Sequence, residues 1–314
     1  MRVAVLDDYQ DVVRGLDAFS LLDGHDVTVF ARPVEPEELE GVEALVLIRE
    51  RTRVDEAFLD RVPSLRLIAQ TGRLGPHVDA AAAEARGIVL AEGGSEPVAP
   101  AELTWALVLA GVRRLTQYAE RLRAGEWQRN GLEGTPGALG HVLRGRTLGV
   151  LGLGRIGSLV AGYGRAFGME VIIWGRERSR AAAAEAGYEV AASQEALFAR
   201  GDVVTVHVPL RPETRGLVSL DDLRAMKESA LLVNISRAGL LEAGALLTAL
   251  GEGRPGFTAV DVFDEEPATQ DPLLRLPNVV ASPHVGFVER DTYEAYLGGA
   301  FRHVVDYASG RIGG

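Results

Sequence analysis

Short apolar runs alternate with helix-like segments along the whole chain. One series lies at 2–6, 26–30, 44–48, 65–69 and 87–91. A second series lies at 147–154, 170–174, 202–208, 230–236, 257–263 and 278–282. Strands that are apolar throughout and separated by helices are typical of parallel sheets covered on both faces. The sequence therefore predicts an α/β protein with two doubly wound parallel-sheet lobes.

A long helix pattern at about 100–124 separates the two series, and a glycine-rich loop follows it. Such a segment suits a boundary between lobes. The last helical stretch, at about 289–309, comes after the second sheet is complete, so we expect it to return to the first lobe. We predict a discontinuous, flavodoxin-like substrate domain formed by residues 1–98 and 286–314. A Rossmann dinucleotide-binding domain at 99–285 is expected to be inserted in it.

The composition limits the classes of partner. Of the 314 residues, 47% are apolar and 25% are charged, which is typical of a globular protein. The formal net charge of −11 disfavours a nucleic-acid partner, because phosphates would be repelled. Without cysteine the chain has neither disulfides nor a thiolate zinc site, and we expect no bound metal. The first apolar run meets Asp7 and Asp8 at once and the most apolar helix pattern is too short to cross a bilayer, so we expect a cytoplasmic protein without a membrane segment.

The segment GLGRIG, Gly152 to Gly157, fits the pattern G-x-G-x-x-G. An apolar strand precedes it and a helix pattern follows, as a dinucleotide-binding loop requires. Gly152 would permit the tight turn, Gly154 the close approach of a pyrophosphate, and Gly157 the packing of helix on strand. N–H groups at the helix start would hold the phosphates, and Arg155 could add a positive charge. Ile156, the next residue, is also expected to bind the cofactor. The alternative is a tight turn without a ligand.

Three polar residues follow strands of the second series, namely Arg237, Glu266 and His284. Each alone has an ordinary explanation as a solvated arginine, a loop glutamate or a hydrogen-bonded histidine. Together they suit the oxidation of a 2-hydroxy acid, because a histidine can take the hydroxyl proton and return it in the reverse reaction. A neighbouring carboxylate would orient the imidazole and favour its charged form, and an arginine can bind the substrate's carboxylate or carbonyl.

Five segments resemble the D-isomer-specific 2-hydroxyacid dehydrogenase family, which includes glyoxylate/hydroxypyruvate reductases and phosphoglycerate dehydrogenases. They are TLGVLGLGRIG, VTVHVPLRPETRGL, LLVNISRAGLL, AVDVFDEEP and PLLRLPNVVASPHVG, within about 101–286. The resemblance implies hydride transfer between a nicotinamide cofactor and a small D-2-hydroxy acid or 2-keto acid. It implies that Arg237 binds the substrate and that Glu266 pairs with His284, the acid/base. It also implies a homodimer built around the long helix and the loop after it.

The resemblance extends to the binding residues. Those expected to bind the cofactor besides the glycine loop are Thr104, Trp174, Gly175, Arg176, His207, Pro209, Thr214, Ile235, Ser236, Asp261 and Gly286. The substrate loop is expected at Gly72, Arg73 and Leu74, where Arg73 is either an anion ligand or a solvated side chain. The loop departs from the family pattern, with Pro76 and His77 in place of an Asp-Asn pair. A catalytically idle, nucleotide-sensing protein of the same fold is the alternative function.

The stretch VIIWGRERSR, at 171–180, bears on the choice of cofactor. NAD-specific sites place an acidic residue at the end of this strand to bind the ribose hydroxyls. Here Gly175 and Arg176 stand at that place, and an arginine would bind the extra phosphate of NADP. The sequence therefore favours NADP over NAD. A shifted turn that aims Glu177 at the ribose, or a merely solvated turn, are the alternatives.

Overall fold

A computed structural model of the protein describes residues 1–135 and 137–312. The chain divides into two compact units. The first consists of Met1–Glu96 and the chain from Val288 onward, and the second is Pro97–Phe287. The boundaries predicted from the sequence lie two residues away on each side. The C-terminal segment belongs to the first unit, so that unit is discontinuous.

The regular elements follow the predicted alternation. The strands are β1 (Arg2–Leu6), β2 (Asp26–Val29), β3 (Ala44–Leu47), β4 (Leu67–Gln70), β5 (Val89–Glu92), β6 (Thr147–Leu151), β7 (Glu170–Trp174), β8 (Glu189–Val190), β9 (Val203–Val206), β10 (Leu231–Asn234), β11 (Phe257–Val260) and β12 (Val279–Ala281). The helices are α1 (Glu56–Asp60), α2 (Ala80–Ala85), α3 (Val98–Arg113), α4 (Leu115–Arg123), α5 (Arg155–Ala166), α6 (Glu177–Glu185), α7 (Gln194–Arg200), α8 (Leu220–Ala225), α9 (Ala245–Gly251) and α10 (Arg290–Ala308). Short 3₁₀ turns connect several of them.

The first unit contains a parallel sheet in the order β2-β1-β3-β4-β5. This is the flavodoxin-like order, as predicted. Strands β3 and β4 are buried along their whole length, which explains why they are apolar at every position. α10, which belongs to this unit, packs against β3, β4 and β5. The prediction of a doubly wound α/β fold is confirmed here.

The second unit contains a parallel sheet in the order β12-β11-β10-β9-β6-β7-β8. Counted from β6, this is the dinucleotide-binding order 3-2-1-4-5-6 with one further strand. Apolar clusters cover both faces: one includes Trp105 and Val160 from α3 and α5, and the other includes Leu197, Leu223 and Leu250 from α7, α8 and α9. The strand order reverses between β6 and β9, and ligands of open α/β sheets bind beyond the carboxyl ends of strands at such a point.

The prediction of one continuous helix at 100–124 is wrong. The segment is divided into α3 and α4 at Arg114, which has the left-handed φ of 56°. The Arg114 side chain is 1% exposed, donates from Nε to the carbonyl of Gly137 at 3.1 Å and lies on the ring of Phe257. Burial of this guanidinium lowers the pKa of Arg114 to about 10, although the charge of the Tyr118 hydroxyl opposes the shift. These tertiary contacts stabilise the break.

The two-residue strand β8 was not predicted, because Glu189–Val190 is too short to give a period. No helix among residues 1–135 and 137–312 is long and apolar enough to cross a membrane.

Candidate active site

The register of the second sheet places the ends of its strands in one row. Leu151 of β6 pairs with Trp174 and with Val206, and Val206 pairs with Asn234. Asn234 pairs in turn with Val260 of β11, and Val260 with Ala281 of β12. The residues that follow these positions therefore emerge side by side at one edge. They are Gly152, Gly175, His207, Ile235, Asp261 and Ser282.

The glycine loop has the geometry of a cradle at the start of α5. Gly152 has a φ of 95°, and a Cβ there would lie 2.7 Å from the carbonyl oxygen of His207. A Cβ on Gly157 would lie 2.1 Å from the carbonyl oxygen of Gly152. A Cβ on Gly154 would instead enter open space in front of the helix. Within the described chain no side chain caps α5, whose first residues are Arg155 and Ile156, so its N-terminal dipole faces that space and fits a pyrophosphate.

The turn after β7 leads directly into α6. Gly175 is followed by Arg176, an exposed residue at the N-cap of α6, and Glu177 lies in the first helical turn. The guanidinium of Arg180 lies 4.9 Å from the centre of the Trp174 indole ring. Ser179 accepts a hydrogen bond from the N–H of Leu153 at 3.4 Å, which ties the turn to the glycine loop. Glu177 is placed where a carboxylate stabilises the start of a helix.

His284 and Glu266 form the pair that the sequence predicted to act together. Nδ1 of His284 lies 2.6 Å from Oε2 of Glu266, and the other carboxylate oxygen accepts from the N–H of Phe263 at 3.1 Å. Burial raises the pKa of Glu266, but the hydrogen bond and charge of His284, the Phe263 N–H and the charge of Arg237 outweigh it and hold the pKa below its usual range. Glu266 is therefore ionised at neutral pH. Its contribution to stability is present above its ordinary pKa and is lost as the pH falls through the lowered one.

Asp261 fixes the loop that carries His284. His284 has a φ of 53°, which is uncommon for a residue with a side chain. The fully buried carboxylate of Asp261 accepts from the hydroxyl of Ser282 at 2.6 Å and from the N–H groups of Val285 and Gly286, each at 2.9 Å. Burial raises the pKa of Asp261 although these hydrogen bonds and the charge of His284 oppose it. The carboxylate thus binds the Ser282 side chain before the histidine and two backbone N–H groups after it.

Arg237 is positioned by Asn234, a residue that the sequence did not single out for the site. Asn234 is 1% exposed, donates from its amide to the carbonyl of Arg237 at 2.9 Å and accepts from the N–H of Ser236 at 3.0 Å. The available signal was a polar residue inside an apolar strand.

His207, directly after β9, lies beneath the glycine loop. It is 9% exposed, and within the described part of the chain neither ring nitrogen has a hydrogen-bond partner. Burial lowers the pKa of His207 to about 3, so the ring is neutral at physiological pH. Because this pKa lies below that of an unfolded histidine, the residue reduces stability as the pH falls below about 6.5.

The hydroxyl groups of the remaining predicted cofactor residues are engaged with backbone carbonyls. The Thr214 hydroxyl donates to the Pro209 carbonyl at 2.7 Å, the Ser236 hydroxyl to the Val206 carbonyl at 2.7 Å, and the Thr104 hydroxyl to the Pro100 carbonyl at 2.8 Å. Ile235 is buried, and a Cβ on Gly286 would lie 3.2 Å from Asp261. Their contact with a cofactor stays a prediction.

The predicted substrate loop lies in the first unit, after β4. Gly72 is buried, and Arg73 is exposed. Leu74 donates its backbone N–H to the Glu92 carboxylate at 2.8 Å. The role of all three residues in substrate binding stays a prediction. The Leu74 N–H already donates to Glu92. Among the described residues no group of three histidines, aspartates or glutamates could hold a metal ion.

A parallel sheet with this strand order, a glycine cradle at its switch point and a histidine–carboxylate pair at the same edge define the class of nicotinamide-dependent dehydrogenases. Comparison with known proteins gives the family. Residues 105–286 match the model of the D-isomer specific 2-hydroxyacid dehydrogenase NAD binding domain. The chain belongs to this family, as the sequence motifs predicted.

Individual relatives agree with that result. The chain is 40% identical to a glyoxylate reductase of Aeropyrum pernix, over 83% of this chain and 78% of the relative. It is 35% identical to a D-3-phosphoglycerate dehydrogenase of Methanocaldococcus jannaschii, over 82% of this chain but 48% of that longer protein. A crystal structure of a phosphoglycerate oxidoreductase from Vibrio cholerae superposes with a TM-score of 0.94 at 49% identity, and the match covers 99% of each chain.

Substitution of Gly157 tests the cradle. Because a Cβ at this position would overlap the Gly152 carbonyl, Gly157→Ala is expected to distort the loop and weaken nicotinamide cofactor binding about tenfold or more, measured by fluorescence titration. Gly162→Ala is the matched control, since that position in α5 is open and alanine favours helix. Equal cofactor affinity in the two variants would contradict the assignment.

Proposed function

We propose that the protein interconverts small 2-keto acids and D-2-hydroxy acids with a nicotinamide cofactor, and that His284 is the acid/base. The observation that supports this most directly is the 2.6 Å contact of His284 with an ionised Glu266 at the edge that carries the glycine loop. A catalytically idle nucleotide-sensing protein would have no chemical need for this pair. The names of the relatives suggest glyoxylate or a three-carbon acid as substrate.

The pair determines which nitrogen of the imidazole reacts. Glu266 accepts a hydrogen bond from Nδ1 of His284, so Nε2 is the nitrogen that exchanges a proton with the substrate oxygen. In the direction of reduction, Nε2–H donates to the carbonyl oxygen of the 2-keto acid, and Glu266 stabilises the imidazolium before transfer. The bound cofactor supplies the hydride. Asp261 holds the His284 loop, which keeps the histidine oriented.

We assign substrate orientation to Arg237 and to the loop after β4. A guanidinium can bind a carboxylate through two parallel hydrogen bonds and can polarise a neighbouring carbonyl. Asn234 holds the backbone of Arg237, so Arg237 loses less conformational entropy when the substrate binds. The backbone N–H groups of Gly72 and Arg73 are the proposed donors of the loop. A cytoplasmic location stays a prediction.

Replacement of His284 tests the acid/base assignment. His284→Ala removes the proton donor, so kcat is expected to fall by about 10²–10⁴-fold while the affinity for the reduced cofactor stays unchanged. Steady-state assays and fluorescence titration measure the two quantities. His25→Ala, in the first unit, serves as the control. A variant at position 284 that keeps its turnover would remove His284 from the mechanism.

We further propose that NADP(H) is preferred over NAD(H). The turn after β7 offers the exposed Arg176 and, against Trp174, the guanidinium of Arg180. The carboxylate of Glu177 has an alternative role at the start of α6, as a partner of the helix dipole. A charge-assisted hydrogen bond to the extra phosphate therefore supports NADP.

Arg176→Ala tests this preference. Loss of one exposed charge-assisted contact is expected to lower the ratio of NADPH to NADH efficiency about five- to thirtyfold. Steady-state kcat/KM with each cofactor measures the ratio. Arg178→Ala, which removes an arginine two residues further along, inside α6, is the control. If Arg176→Ala left the ratio at its original value, Arg176 would not bind the phosphate.

We propose a homodimer formed through the segment 115–142. This stretch exposes large apolar side chains that a monomer rarely displays together. They are Leu115 (61% exposed), Leu122 (55%), Trp127 (75%), Leu139 (79%) and Val142 (72%). A second copy of the chain would cover them, as the family resemblance implies.

Light scattering after size exclusion tests the dimer. The wild-type protein is expected at about twice the chain mass of 33.6 kDa, and the double variant Trp127→Glu/Leu139→Asp at the mass of one chain. Leu274→Asp introduces one negative charge at an exposed apolar position elsewhere, and should not change the mass. A wild-type protein that stays monomeric at all concentrations would exclude this interface.

A further inference from the structure

Gln70 is a fully buried amide at the end of β4, directly before the predicted substrate loop. Its Nε2 donates to the carbonyl oxygen of Arg49 at 2.8 Å. Its Oε1 lies 3.4 Å from Nε2 of His77. The amide thus joins the turn after β3 to the far side of the loop. A buried polar group bonded at both ends specifies a local geometry, because leaving either end unpaired is costly.

Gln70 and Thr71 hold Arg49 in a strained conformation. Arg49 has a φ of 59°, and its N–H donates to the Thr71 hydroxyl at 2.9 Å. A left-handed backbone conformation is unfavourable for a residue with a long side chain and persists only when its surroundings stabilise it. The result is a guanidinium packed on the first residue of the substrate loop: a Cβ on Gly72 would lie 2.1 Å from Nη1 of Arg49.

Gln70 also determines the tautomer of His77. Since Nε2 of Gln70 must donate to a carbonyl, Oε1 is the atom that faces His77, and Nε2 of His77 must carry the proton. Burial lowers the pKa of His77; Glu50 opposes this effect and Arg49 adds to it, so the ring is neutral. The carbonyl of His77 accepts from the N–H of Val54 at 2.7 Å, which fixes the end of the loop.

We propose that Gln70 is the positioning residue of the substrate loop. Through Arg49 it sets a positive charge against Gly72, and through His77 it fixes the far end of the segment 72–77. Both effects preorganise the backbone N–H groups that receive the substrate's carboxylate, so Gln70 controls affinity for the 2-keto acid and not the chemical step. The inference rests on the proposed function of the loop.

Gln70→Met, which keeps the length of the side chain and removes both hydrogen bonds, tests the inference. We expect KM for glyoxylate and hydroxypyruvate to rise about tenfold, with kcat and the affinity for the reduced cofactor unchanged. Gln117→Met is the matched control: Gln117 is also a buried glutamine, donating to the Pro277 carbonyl at 2.9 Å, but lies in the second unit. Its loss should lower thermal stability without changing KM.

Thr71→Val and Thr71→Ser keep the test decisive if Gln70→Met fails to fold. Valine removes the acceptor of the Arg49 N–H and is expected to raise KM as Gln70→Met does, whereas serine keeps that acceptor and the wild-type KM. An active enzyme whose KM is insensitive to both Gln70→Met and Thr71→Val would overturn the inference alone. A wild-type protein that reduces no 2-keto acid would overturn the proposed function and the inference with it.

Discussion

The parallel register of the second sheet is the constraint on which the candidate site depends. Because each strand of the row ends level with its neighbours, the residues after Leu151, Val206, Asn234 and Val260 emerge at one edge. Backbone hydrogen bonds between buried strands fix this alignment, and a slip of one residue would turn every side chain to the other face. Segments more than a hundred residues apart in sequence are thereby brought to one place, with the glycine cradle among them.

Within that row, the loop carrying His284 is stabilised by buried groups that do no chemistry. The Asp261 carboxylate accepts hydrogen bonds from two backbone N–H groups and a hydroxyl, and so stabilises the left-handed backbone conformation of His284. Glu266 then supplies the one contact that the proposed proton transfer needs. In the first unit Gln70 has a comparable task, since it helps to hold Arg49 in a left-handed conformation beside the proposed substrate loop. Strained backbone thus occurs in each unit where a buried polar side chain stabilises it.

The sequence predicted the features that depend on local pattern. Uninterrupted apolar runs located the main strands, and the glycine spacing after β6 located the cradle. Pairing of His284 with Glu266 was expected from the family resemblance, and their contact in the structure agrees with it. Features that depend on distant contacts were missed. The break between α3 and α4 at Arg114 depends on Phe257 and Gly137, and the left-handed conformation of Arg49 depends on its hydrogen bond with Gln70. The role of Asn234 was missed as well, because it consists of hydrogen bonds with Arg237 and Ser236 that an apolar strand pattern does not reveal.

We propose that this edge of the second unit supports D-specific reduction of a 2-keto acid. The most direct measurement follows the loss of reduced-nicotinamide absorbance with glyoxylate, hydroxypyruvate, pyruvate and bulkier 2-keto acids, and then determines the configuration of each chiral product. Oxidation of the cofactor by at least one of these acids, with a D-2-hydroxy acid as the product, is the expected result. An L-configured product, or no oxidation with any acid and either cofactor, would contradict the account.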